Sequence, residues 1–188
     1  AAIMFFFFFF SFKAVEVKAQ DLMKGVKSSE TQGKNPDSAF TSSIGKLSID
    51  LFKKGVRQDE NSLISPTSIL LALSMTANGA DGNTRKEMEQ LLGQGISLED
   101  LNKYLYTYVE ALPNSKKTQI NIANSIWLRD EESFKPKEEF LQTNADYYKA
   151  AIYKADFSSQ GTAQDINNWV NKNTNKMIDK IVDEISAD

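Results

Sequence analysis

The chain has 188 residues, of which 41% are hydrophobic and 25% charged, as in one globular domain or part of a larger one. Its net charge of -3 provides no basic patch, so we do not expect a nucleic-acid partner. The absence of histidine and cysteine excludes Ser-His-Asp and Cys-His catalysis, disulfides and thiolate metal sites, and we expect no catalytic residue, metal or cofactor.

The first twelve residues, AAIMFFFFFFSF, are unusually rich in phenylalanine. They are too few for a membrane span, which needs about 20 residues. One interpretation is the hydrophobic core of a secretory signal, although no clean A-x-A cleavage site follows it. A second is an ordered extension that covers an apolar patch or pairs with a sheet edge. A third is a cloning or register artefact.

Residues 13–36 are polar and show no apolar periodicity. The segment KSSETQGKNP within them is rich in residues that favour turns and disorder. We therefore predict an N-terminal extension or signal remnant with a linker over residues 1–36, and a folded domain over residues 37–188.

A first amphipathic helix is predicted to start near Asn35-Pro36-Asp37, where Asn35 or Asp37 can cap it, and to end near Gly55. Its apolar face consists of Phe40, Ile44, Leu47 and Leu51. The segment NSLI, residues 61–64, is a candidate short strand.

Ser65-Pro66 indicates the start of a second helix, with serine as the cap and proline at the first position. The helix runs to about Asn78-Gly79, and residues 69–73, ILLAL, give it no polar face. We therefore expect it to be buried all round. The other predicted elements are too few to cover it, so part of the cover is expected in sequence beyond Asp188.

Two further helices are predicted before the first long strand. Thr84 and Glu87 fit a capping box, which predicts a helix that ends at Gly93. SLED, residues 97–100, starts a fourth helix. Its apolar side comprises Leu98, Leu101, Leu105 and Leu112.

Alternating residues in QINIANSIWL, 119–128, predict a strand of about ten residues. Parity places Asn124 and Trp127 on opposite faces of this strand, and we interpret both as residues that pack the sheet. The acidic run Asp130-Glu131-Glu132 offers oxygen ligands for a cation, but a solvated turn is the preferred interpretation.

The remaining elements are a helix around Lys137–Tyr148, an alternating strand in AAIYKADF and an amphipathic helix from Ile166 to Ile181. Trp169 on the last helix is interpreted as a packing residue. Helices that precede a strand–helix–strand–helix series predict an α+β fold with an extended sheet.

Several segments match one family in order and in spacing. NSLISPTS, residues 61–68, resembles the N-x-x-x-S-P-x-S entry to helix B of the serpins, and MTANGADGNTRKEMEQLL resembles the end of helix B with helix C. IANSIWLRD resembles strand 2 of the large sheet A, YYKAAIYKADF resembles strand 1A, and DINNWVNKNTNKMIDKIV is similar to helix F. The resemblance over residues 37–188 implies the N-terminal half of a serpin, with helices A–F and strands of sheet A.

The resemblance implies a secreted or cell-surface inhibitor of a serine protease, or of a cysteine protease, and not an enzyme. A serpin offers its reactive-centre loop as bait and inserts the cleaved loop into sheet A, which distorts the covalently attached protease. That loop belongs to the C-terminal remainder, which the resemblance implies as a partner. The alternative is a non-inhibitory serpin that acts as a carrier, chaperone or structural protein. A hydrolase is opposed by the missing histidine and cysteine. The absence of cysteine and of N-x-[ST] sites is compatible with a prokaryotic source.

The resemblance also implies roles for particular residues. Ser65 and Ser68 match the family's shutter serines, the pair under the centre of sheet A that hydrogen-bonds to strands that part for the loop. From the residues alone, Ser65 is simply a helix cap and Ser68 a first-turn residue. Asn124 is grouped with them as a structural residue of the sheet.

The fourth predicted helix corresponds to helix D, through which some serpins bind heparin with basic side chains. Here Lys103 is the only basic side chain between residues 97 and 112, against Glu99, Asp100 and Glu110. We therefore do not expect heparin to bind.

Overall fold

The computed structural model describes residues 18–57, 59–115, 117 and 120–185. They fall into two compact units: residues 20–155, and residues 156–185 together with residues 18 and 19. The elements in chain order are β1 (Gln20–Asp21), α1 (Ser38–Gly55), α2 (Pro66–Ala77), α3 (Gly82–Gly93), α4 (Leu98–Glu110), β2 (Ser125–Arg129), α5 (Glu138–Tyr148), β3 (Ala151–Ala155) and α6 (Gln160–Asn173). None of these helices is both long and apolar enough to cross a membrane.

The core of the first unit is built around α2, which packs against α1, α3, α4 and α5. Leu70, Leu71 and Met75 of α2 are almost completely buried. One narrow stripe of α2 is left uncovered by the described residues. Its members, Ser68, Ala72 and Thr76, recur every four residues and are exposed. They are small, so little apolar area meets the solvent there.

Side-chain caps fix the starts of most helices, because they satisfy backbone N–H groups that have no partner inside the helix. Asp37 caps α1 by accepting from the Phe40 N–H at 2.9 Å, which confirms one of the two predicted caps. The predicted capping box at Thr84 is wrong. Asp81 caps α3 instead and accepts from the Gly82 N–H at 2.7 Å, so the helix begins before Thr84.

The sheet of the first unit has the strand order β1–β3–β2. Strands β2 and β3 are parallel and are connected through α5, with Ser125 opposite Ala151 and Arg129 opposite Ala155. Only these five positions of β2 have partners on β3, so the predicted ten-residue strand is too long. The candidate strand NSLI, residues 61–64, is also wrong: it has no partner strand among the described residues, and Leu63 is 97% exposed.

Residues 20–34, here called the N-terminal strap, bind to the body of the first unit. Gln20 pairs with Lys154 of β3, and the Ser28 hydroxyl donates to the Ala145 carbonyl of α5 at 2.9 Å. The Lys34 N–H donates to the Lys103 carbonyl of α4 at 3.1 Å. Polar groups therefore fix the strap, although it has no apolar pattern. The alternatives for residues 1–12 concern residues outside those described.

The second unit is organised by α6, which ends at Asn173 rather than near the predicted Ile181. Beyond this point Met177 and Ile181 are 79% and 58% exposed, so they do not continue an apolar helix face. Near the start of α6, the carboxylate of Asp165 accepts from the backbone N–H groups of residues 18 and 19 at 3.0 and 2.8 Å.

A chain that starts at Asp37 is expected to lose the cooperative unfolding of a soluble monomer. It lacks the antiparallel pairing of β1 and every strap hydrogen bond, while apolar side chains such as Leu63 and Phe52 remain exposed. Thermal denaturation followed by circular dichroism, together with size-exclusion chromatography, tests this.

The matched control is a chain that starts at Lys18, which retains the strap and omits only residues 1–17. It is expected to show a sharp, cooperative transition, which the chain that starts at Asp37 lacks. A sharp, reversible transition of monomeric residues 37–188, at the temperature of the control, would contradict the prediction.

Candidate functional site

The two serines at the start of α2 are brought into direct contact. Their hydroxyl oxygens lie 2.8 Å apart, and the Ser65 oxygen also accepts from the Ser68 N–H at 3.4 Å as the cap of the helix. Both residues are exposed. The pair presents two hydroxyls that can donate and accept hydrogen bonds.

Asn124 and Trp127 lie at and within β2. The Asn124 carbonyl accepts from the Ala151 N–H at 2.9 Å and thereby extends the parallel ladder by one bond. The Trp127 ring stacks on Tyr153 of β3 with a centroid distance of 4.5 Å, and its indole N–H donates to the Ser125 hydroxyl at 3.0 Å. The stacked pair of Trp127 and Tyr153 is a cross-strand contact between β2 and β3.

In the second unit, Trp169 is half-buried on α6, and its carbonyl accepts from the Asn173 amide. A neighbour in the same motif, Asn167, has the more specific contacts. Its side-chain oxygen accepts from the N–H groups of Ile181 and Val182, at 2.8 and 3.2 Å, and its amide nitrogen donates to the Val182 carbonyl at 2.8 Å. Asn167 therefore fixes the segment that follows α6, a role that sequence reasoning did not assign.

A buried polar cluster joins three helices of the first unit, and no pattern in the sequence predicted it. The Tyr148 hydroxyl of α5 donates to the Asn102 side-chain oxygen of α4 at 2.5 Å. The Asn102 amide in turn donates to the Asn78 side-chain oxygen, at the end of α2, at 2.8 Å. Burial raises the pKa of the Tyr148 hydroxyl, so it stays a hydrogen-bond donor at neutral pH.

A second polar cluster fixes the end of the N-terminal strap to α1 and α4. The Tyr104 hydroxyl donates to the Asp37 carboxylate, and the Lys34 ammonium lies 2.8 Å from Asp100 and 4.6 Å from the centre of the Tyr104 ring. The Phe40 N–H, with help from the Tyr104 hydroxyl, lowers the pKa of Asp37. The hydrogen bond that the Tyr104 hydroxyl donates to Asp37 raises the pKa of Tyr104. The geometry holds Asp37 ionised, as its capping role requires.

Other charged side chains form local ion pairs. In the acidic turn, Asp130 pairs with Lys154 at 3.0 Å and Glu131 with Arg129 at 3.6 Å. On α4, Lys103 pairs with Glu99 at 2.7 Å, and this pairing raises the pKa of Lys103. Among the described residues, no group of three or more acidic side chains is arranged to hold a metal ion.

Comparison with known proteins identifies the family of this arrangement. The family model "Serpin (serine protease inhibitor)" matches residues 42–188. Neuroserpin of Homo sapiens is 36% identical over 139 residues, which are 70% of this chain and 33% of that protein. Serpin-ZX of Arabidopsis thaliana is 34% identical over 139 residues, 71% of this chain and 35% of that protein. The chain thus spans about a third of the length of the curated relatives it matches.

Solved structures give the same family. The native state of the thermophilic serpin tengpin is 53% identical and superposes with a TM-score of 0.85, over 91% of this chain and 44% of that one. The latent state of tengpin is 54% identical and superposes with a lower TM-score of 0.77, over 84% of this chain and 42% of that one.

Replacing Tyr148 with phenylalanine is expected to destabilise the chain by about 1–3 kcal/mol, because the buried Asn102 oxygen loses its strongest donor. Urea denaturation followed by circular dichroism measures this free energy of unfolding. Tyr108→Phe, on the exposed side of the same α4, is the control and is expected to change it by less than about 0.5 kcal/mol. Equal stability of the two variants would show that the buried cluster contributes nothing.

Proposed function

This chain belongs to the serpin family, and we propose that it supplies the N-terminal part of a secreted inhibitor that traps serine proteases by inserting its reactive-centre loop into sheet A. The family match across residues 42–188 is the observation that carries the proposal. It confirms the resemblance found in the sequence and the α+β serpin fold. Protease inhibition is the family's general activity, and the trapping mechanism, the target and secretion are what we propose for the complete protein.

A change of conformation is part of the proposed mechanism, and two findings support it. The same relative, tengpin, has been solved in a native and a latent state, and the present chain superposes better on the native one. The shutter pair, Ser65 and Ser68, is exposed and presents two hydroxyls at the start of α2. We propose that these hydroxyls hydrogen-bond to strands of the complete sheet that separate when the loop enters.

The parallel pair of β2 and β3 also bears on the mechanism. We propose that this pair forms one side of the sheet that widens when the reactive-centre loop inserts. Strand β3 is enclosed between β1 and β2, whereas β2 has no further partner among the described strands. An unpaired edge readily accepts another strand, since its N–H and C=O groups lack partners. In the complete protein we propose that this edge continues the sheet toward the position that the loop occupies.

The complete protein is expected to form a one-to-one covalent complex with a serine protease that survives denaturation in SDS. Incubation with trypsin-, chymotrypsin-, elastase- and subtilisin-like proteases, followed by denaturing gels, tests this. The same protease with its nucleophilic serine blocked cannot be acylated and is the control, expected to give no complex. Cleavage by every protease without any complex would overturn the proposal and favour a non-inhibitory serpin.

Ser65→Phe and Ser68→Phe are expected to promote polymers or an inactive, loop-inserted form of the complete protein. A phenyl ring under the closed sheet overpacks it by about 1–3 kcal/mol, and a metastable native state is the state most affected. Native gels after mild heating measure the loss of monomer.

Ser42→Phe, at an exposed position of α1, is the matched control and is expected to leave the monomer unchanged. In the isolated chain, where both serines are exposed, Ser68→Phe and Ser42→Phe are expected to have similarly small effects. Ser65→Phe also removes the cap of α2, which is expected to cost about 0.5–2 kcal/mol. Unchanged monomer of both shutter variants after heating would contradict the shutter assignment.

A further inference from the structure

A cavity of about 380 Å³ lies between the end of α2, the start of α3 and the loop that leads into α5. Its volume falls in the range of small-molecule sites, roughly 300–1,000 Å³. Neither the shutter pair nor the strands of the sheet line it. Its lining combines two phenylalanines with basic side chains, a composition that trapping of a protease does not require.

The apolar part of the cavity is formed by Phe134 and Phe140. Phe140 is held in place by close contact with Gly79, where an added Cβ would lie 3.2 Å from two ring carbons. The Phe134 side chain, in contrast, is 48% exposed beside the cavity. A large aromatic side chain left half in solvent offers a stacking surface to a second ring. We call this cavity the Phe134 pocket.

The charged groups around the Phe134 pocket favour an anion. Lys135 and Lys137 lie in the loop that leads into α5, and both are exposed. Their side chains form no hydrogen bond or ion pair with the described residues. Arg85 adds a third positive charge and pairs with Glu89 on its own helix. Two acidic residues also line the pocket, and one of them, Asp81, is engaged as the cap of α3.

The remaining acid is Glu139, on the first turn of α5. The lining therefore carries three positive charges against two negative ones, and the two lysines are the groups free to contact a ligand. An anionic group would be attracted to them, whereas a cation would have to pass them.

We propose that the Phe134 pocket binds a small aromatic anion, namely an aryl carboxylate or an aryl sulfonate. The ring of the ligand stacks on Phe134 and contacts Phe140, while its anionic group lies between Lys135 and Lys137. Both parts are needed: the aromatic wall provides the contact area, and the lysines select the charge. The site is independent of protease trapping, since it uses neither the loop nor the sheet.

The probe is 1-anilinonaphthalene-8-sulfonate, titrated into the protein and followed by its fluorescence. The double variant Lys135→Gln/Lys137→Gln is expected to weaken its binding about tenfold, since two exposed charge contacts are lost. N-phenyl-1-naphthylamine, the same ring system without the sulfonate, is expected to bind equally to the two proteins. Phe134→Ser is expected to weaken the binding of both probes.

Lys53→Gln/Lys54→Gln, which removes an adjacent pair of exposed lysines from the end of α1, is the matched control and is expected to leave both affinities unchanged. An equal loss of affinity for the sulfonate in this control would show that the effect comes from the overall charge of the protein, and would overturn the proposal. Full binding of the sulfonate to Phe134→Ser would place the probe elsewhere on the protein and would likewise overturn it. No protease is present, so these results are independent of the inhibition assay.

Discussion

Burial of α2 is the constraint on which the first unit depends. Leu70, Leu71 and Met75 must leave water, and fully burying each side chain contributes about 1.5–3 kcal/mol, so α1, α3, α4 and α5 have to surround one helix. The part of the α2 surface that these four helices leave uncovered is the stripe of Ser68, Ala72 and Thr76. Small side chains there permit a close approach of other backbone, which a leucine at position 72 would prevent. The same helix thus organises the core and presents the hydroxyls of Ser65 and Ser68 at its start.

The helices could be predicted from the sequence because their signals are local. Asp37, Ser65 and Ser97 each cap a helix within three residues of the N–H group they bind, and the apolar spacing of α1 and α4 gives the buried face directly. For the strands, the approximate position could be predicted but the length could not. Their lengths depend on partners far along the chain, so the alternation around Ile120 and Ile122 did not show that pairing starts at Ser125.

In the candidate site, too, residues in a local motif could be predicted from the sequence, whereas contacts between distant segments could not. Ser65 and Ser68 were singled out because they lie in a compact family motif, and the structure adds the contact between their hydroxyls. Asn102, Asn167 and Asp165 were not found, because an isolated polar residue in a helical pattern is normally assigned to the solvent side. Each is in fact buried and satisfied by a partner from another segment, which only the folded chain reveals.

The N-terminal strap has a consequence for biosynthesis. Ser28 and its acceptor, the Ala145 carbonyl, lie 117 positions apart, and β1 pairs with the last strand of its unit. On the ribosome the strap leaves the exit tunnel before its binding surface, which is complete only after β3 has followed. Such non-local pairing forms late and leaves the strap open to other encounters during translation. The strap has the polar composition that is typical of a linker. Because it exposes few apolar groups while it is unpaired, its tendency to aggregate during translation is low.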